Sequence, residues 1–168
     1  MGDDNTLIFR ITQKLAKKIK IVPDFALPQA DNPFLDWTAN LFSVSHYQYI
    51  ILTNTRSLYS VVFRGKGVSD ANSFIDYSLD ALQSYMIHDR TISIAEPYIT
   101  PPIDSIVFSK TGDRRVLGSM NDLIGMAKLY LQEPGIPLTV VNERINDAPM
   151  SMLGYQHPKA VFLLLGNG

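Results

Sequence analysis

Two hydrophobic periods divide this chain. From Trp37 to Gly65 three apolar runs are separated by turn-like clusters at hairpin spacing, which predicts a three-strand antiparallel meander. Trp37 to Val44 alternates between a face of Trp37, Ala39, Leu41 and Ser43 and a face of Thr38, Asn40, Phe42 and Val44. Ser45-His46-Tyr47 turns the chain into Gln48 to Thr53, and Asn54-Thr55-Arg56-Ser57 turns it again into Leu58 to Arg64. Gly65-Lys66-Gly67 then breaks the pattern and permits a positive φ. From Ser69 the period lengthens to about 3.6, with Phe74, Ile75, Leu79, Leu82, Tyr85 and Met86 on one stripe of the longest predicted helix.

Outside this centre the elements are shorter. Leu7 to Thr12 reads as a strand closed by a possible cap, and Gln13 to Lys20 as a small helix with Leu15 and Ile19 inward and Lys14, Lys17, Lys18 and Lys20 outward. Residues 21–36 carry Pro23, Pro28 and Pro33 and read as an ordered surface loop. Three prolines make Glu96 to Pro102 a loop, Ser105 to Ser109 a further strand, and Met120 to Leu131 a second amphipathic helix. Leu138 to Asn142 and Ala160 to Leu165 look strand-like. The expected fold is α+β in one domain over 1–168: a mainly antiparallel sheet of about five strands, with helices 69–88 and 120–131 on one face.

Composition narrows the class. At 168 residues with 46% apolar residues the chain can bury a core, and 10 Gly and 10 Pro exclude fibrous repeats. Charged residues reach only 18%, below the ~25% of average soluble domains, so part of the surface is neutral or apolar. Fifteen basic and 16 acidic residues leave a net charge of −1, which favours neither nucleic acid nor anionic lipid globally. Without Cys there is no disulfide and no thiolate ligand, and the apolar stretches are far shorter than a membrane helix, so a cytoplasmic chain off the membrane is expected. Met1 to Thr6 fits the loose myristoylation pattern but lacks the basic cluster a second membrane signal needs.

Three stretches stand together in order: Thr12-Gln13-Lys14-Leu15, Trp37-Thr38-Ala39-Asn40-Leu41, and the long run from Lys110-Thr111-Gly112-Asp113-Arg114-Arg115 to Val116-Leu117-Gly118-Ser119-Met120-Asn121-Asp122. With Asn54 to Val62, this set resembles a small bacterial family known as a domain of unknown function. The resemblance spans roughly residues 7–131. It implies a single-domain cytoplasmic protein and brings no activity, substrate or catalytic residue with it.

The candidate chemistry is concentrated at 110–122, a basic, glycine-containing turn between a strand and a helix. Lys110, Arg114 and Arg115 supply positive charge, and Ser119 and Asn121 stand where helix amides could meet a phosphate or carboxylate. The competing reading is structural: Ser119 and Asp122 have capping-box spacing, and an acid there repels an anion. His46, His88 and His157 have no partner at helical spacing, so no metal and no cofactor is expected. Asp76 and Asp80 read as a solvated helix face, and the four lysines of 14–20 as a solubilising one, which leaves nucleic acid open. Three functions remain: a non-catalytic interaction module that forms a homo-oligomer, a binder of an anionic ligand through 110–122, or an enzyme using Asn121, Asp122 or His88.

Overall fold

Thr12 ends the first strand and begins the first helix. β1 (Thr6–Ile11) passes into α1 (Gln13–Ile19), where the Thr12 side chain accepts from the Leu15 amide. Its hydroxyl donates to Asn40 Oδ1 at 2.7 Å, and its amide donates to the Ala39 carbonyl at 3.2 Å. Two of the stretches quoted above are thus joined directly. The structure, a computed structural model, describes residues 5–100 and 105–167; Met1 to Asp4 of the myristoylation pattern and the prolines 101 and 102 lie outside it.

The meander is present as β2 (Asp36–Val44), β3 (Tyr47–Asn54) and β4 (Ser60–Arg64), paired antiparallel from Trp37 opposite Asn54 to Val44 opposite Tyr47. Ser45 and His46 take φ of 50° and 72°, the two left-handed residues of a type I′ turn, whose twist matches the strands it joins. Asn54 organises the next turn, its Oδ1 accepting from the Ser57 amide and hydroxyl at 3.0 and 2.9 Å. Gly67 has φ 91°, and a Cβ there would lie 2.6 Å from the Tyr77 hydroxyl.

The sheet as a whole is mixed, not mainly antiparallel. Its order is β4-β3-β2-β1-β5, with β5 (Ser105–Lys110) and β2 both parallel to β1. Hairpin spacing reveals only neighbours in sequence. β1 and β2 are separated by a helix and a long loop, enough chain to return in the same direction, and β1 meets β5 across about a hundred residues (Thr6 opposite Ser105).

The helices cover both faces, which corrects the one-face arrangement. α1, α2 (Ala71–Asp89), α3 (Ile92–Ile99) and α6 (Pro158–Leu165) pack on the face bearing Phe9, Trp37, Leu52 and Val61. α4 (Arg114–Tyr130) and α5 (Leu138–Asn146) pack on the face bearing Phe42, Ile51 and Val62. Alternation along each strand feeds both cores. Asp70 caps α2 in a box with Ser73, which holds its carboxyl below the ordinary range through the Ser73 amide and hydroxyl and then nearby Lys20.

Three local expectations are overturned. Leu138 to Asn142 begins a helix, because Val141 and Ile145 are inward at a spacing of four. Ala160 to Leu165 is helical, with Pro158 at its first turn and Phe162 inward. Pro97 lies inside α3, where buried Ala95 and Ile99 override the helix-breaking tendency.

Candidate functional site

β1 and β5 are adjacent, parallel strands whose chains leave the sheet in opposite directions. After Ile11 the chain enters α1 on one face; after Lys110 it enters α4 on the other. Between two such exits the carboxyl ends of the strands open a crevice, the general ligand position in open α/β sheets. A cleft of about 850 Å³ lies there. Ile11, Ala16 and Ile21 supply apolar wall, and Lys17 of α1 and Lys20 at its C-cap line it with Lys110 of β5. Asp24 is the acidic lining residue, so three cations stand against one anion.

The residues after α1 run over these strand ends as a strap. Lys20 closes α1 in the left-handed region, φ 59°, and turns the chain outward. The Lys110 amide donates to the Phe25 carbonyl at 2.9 Å, and the Leu27 amide donates to Ser109 Oγ at 2.9 Å. Arg10 then holds the rest from below. Its Nη1 and Nη2 donate to the Leu27 and Pro28 carbonyls at 2.5 and 2.9 Å, while Nε and Nη2 grip the two Asp36 oxygens at 2.8 Å each. Asp36 also accepts from the Ala30 amide at 2.9 Å and the Thr55 hydroxyl at 2.7 Å. The pair is buried, and its fork-on-fork geometry satisfies a charge pair that would otherwise be costly inside the protein. A smaller hollow of about 260 Å³, bordered by Arg10, Thr38, Thr55 and Gly112, opens on the other side of the Thr111 loop.

The residues expected to form the anion site do not form one group. Lys110 lines the large cleft. Arg114 and Arg115 are exposed in the first turn of α4, where Arg115 Nε is 4.0 Å from Asp113. Ser119 is not a helix cap. α4 starts at Arg114, and Asp113 caps it by accepting from the Arg115 and Val116 amides at 2.9 and 3.4 Å. Ser119 is buried one turn later, its hydroxyl 3.5 Å from Met152 Sδ. Asn121 and Asp122 line a shallow hollow with Pro149 and Tyr155, whereas His88 borders a different one, so the three share no cleft. Lys17 and Lys20 are exposed, as the solubilising-face reading expects, and they also line the cleft, which that reading does not anticipate. The other two lysines of that group do not line it: Lys14 is exposed and Lys18 donates to Gln48 Oε1 at 2.8 Å. The available signal was Lys17 and Lys20 at i, i+3 on a helix that follows a strand.

A family model for a domain of unknown function, DUF6933, matches residues 8–161. The chain belongs to this family. No curated protein matches it. The DUF6933 match reaches well past residue 131, so α5 and the first half of α6 are part of the family domain rather than additions to it.

The far end of the DUF6933 domain holds a second polar group. The Tyr59 hydroxyl donates to Asp89 Oδ2 at 2.5 Å, and the Thr91 hydroxyl donates to Asp89 Oδ1 at 2.6 Å. Burial first, and then the Asp89 carboxylate, raise the Tyr59 phenol far above its ordinary value, and burial raises Tyr85 in the same direction. Beside them His88 Nε2 lies 2.7 Å from Glu143 Oε1, and Lys159 donates to the Asp89 carbonyl at 3.1 Å. These contacts tie α2, α5 and α6 together. Among the described residues no group of three metal-binding side chains is found, and no helix is long and apolar enough to cross a membrane.

Proposed function

We propose that this DUF6933 protein binds a small anionic molecule in the cleft between β1 and β5. One observation carries the reading: Lys17, Lys20 and Lys110 meet from two elements at the place where the two strand exits diverge. The cleft volume of about 850 Å³ falls within the ~300–1,000 Å³ of small-molecule sites. An excess of ammonium groups over carboxylates in a partly apolar cleft attracts an anion more strongly than the same groups would on an open surface. The low charge fraction that suggested an interaction module names no partner, whereas the cleft has a place, a size and a sign. The anion reading of the 110–122 turn therefore keeps Lys110 and exchanges Arg114, Arg115, Ser119 and Asn121 for Lys17 and Lys20.

Thermal unfolding with inorganic phosphate, carboxylates and nucleotides tests it. A ligand at a hundred times its Kd adds about 2.7 kcal/mol, which at this chain length raises Tm by roughly 5–10 °C. The gain should vanish in Lys17→Ala/Lys110→Ala and persist in Arg115→Ala. A wild-type Tm unmoved by every anion, or a double variant that responds like wild type, rejects the function.

A further inference from the structure

The strap beside the cleft exposes two large apolar side chains. Val22 is 87% exposed and Phe25 73% exposed, although both lie on a segment anchored at each end. The Ile21 amide donates to the Ala16 carbonyl at 3.1 Å, and the Lys110 amide to the Phe25 carbonyl at 2.9 Å. Val22 lines the cleft, and the Phe25 carbonyl is bonded to another lining residue, Lys110, so the segment runs along the rim. Pro23 stands between them and limits the conformations of the segment. Isolated exposed apolar residues are common on proteins. Two on one short, doubly anchored segment at the mouth of a basic cleft form a surface that a ligand can cover.

Resting on the anion-binding reading, we propose that the ligand is an organic phosphate, a phosphate ester whose apolar or aromatic part is covered by Val22 and Phe25. The cations choose the phosphate. All three are lysines, which bind a phosphate as compact point charges, and among the described residues no arginine lines the cleft to supply the bidentate fork that fixes a planar carboxylate. The volume argues for the organic part, because an inorganic phosphate beside the lysines leaves most of 850 Å³ to water against Ile11, Ala16 and Ile21. Phe25 and Val22 then close over the part of the ester that projects from the cleft.

Isothermal titration calorimetry with inorganic phosphate, phenyl phosphate and phenylacetate separates the claims. Phenyl phosphate should bind the wild type at least about ten times more tightly than either of the others, with a more negative heat-capacity change than inorganic phosphate gives. Phe25→Ser and Val22→Ser alter exposed side chains and so preserve the fold. Each should reduce the preference for phenyl phosphate several-fold and leave the inorganic phosphate constant unchanged. Equal constants for the two phosphates, or a full preference retained in Phe25→Ser, overturn the organic ligand while the anion site stands. Tighter phenylacetate binding overturns the phosphate. If none of the three binds, the anion site and its ligand class fall together.

Discussion

Arg10 shows how much one side chain can organise. It is 6% exposed, and its guanidinium joins the Asp36 carboxylate to the carbonyls of Leu27 and Pro28, so the sheet and the strap share one charge pair. Arg10→Met would leave Asp36 buried with only the Ala30 amide and neutral hydroxyl partners. Urea denaturation should show a loss of about 3–5 kcal/mol, and Arg10→Met/Asp36→Leu should recover part of it, because the stranded charge is then gone. Tyr59 makes a prediction in pH. Its folded pKa is raised above the ordinary 10.0, so the native chain keeps a proton that the unfolded chain releases. That contribution is complete below pH 10 and is lost as the pH rises beyond it. Tyr59→Phe, followed by denaturant midpoints between pH 9 and 11.5, should decline less steeply than wild type. Parallel curves would show that the phenol plays no part in alkaline unfolding.

At the scale of elements, α5 completes the sheet. β4 is an edge strand, yet the Ser60 amide and carbonyl bond to the side chain of Asn146 at 2.8 and 2.7 Å, and those of Val62 to Asn142 at 2.8 and 3.3 Å. Four residues of helix advance about 6 Å and two of strand about 6.6 Å, so two asparagines one turn apart can serve alternate strand residues. Such an edge is closed to a further strand. Asn142→Leu strands a buried donor and acceptor and should cost about 1–3 kcal/mol in urea denaturation, with a similar cost for Asn146→Leu. A change below about 0.5 kcal/mol would mean that water replaces the side chain. The same helix shows where the sequence was readable. The meander and α2 were legible because alternation, turn residues and a long apolar stripe agree over many residues. Leu138-Thr139-Val140-Val141 carried β-branched residues into a helix whose inward positions include Asn142 and Asn146, so its apolar stripe was too thin to recognise. The parallel pairing of β1 was hidden because its partners are remote in sequence. The cleft was half visible: Lys110 stood in a recognisable turn, but Lys17 and Lys20 looked like any solvated face until β5 was placed beside β1.

For the whole molecule, the centre of the larger core is aromatic and draws on both ends of the domain. Phe162 of α6 stacks on Tyr59 at 4.3 Å between ring centroids and meets Phe34 and Trp37 edge-on at 5.4 and 6.1 Å. All four rings are buried. Phe162→Ala removes a ring from a packed site and should cost about 3–5 kcal/mol, seen in calorimetry as a Tm lower by about 10 °C. An unchanged Tm would show that α6 is a surface appendage.

The pairing of β1 with β5, together with the seat of Phe162, also sets the timetable of synthesis. When the ribosome has made the first hundred residues, the opening strand still lacks one neighbour and the indole of Trp37 lacks its cover. Both wait for segments translated afterwards, the first for β5 and the second for α6. A nascent chain of this kind keeps that apolar surface exposed until α6 has emerged, so a truncation before Phe162 would yield a product for proteases rather than a shortened but working protein.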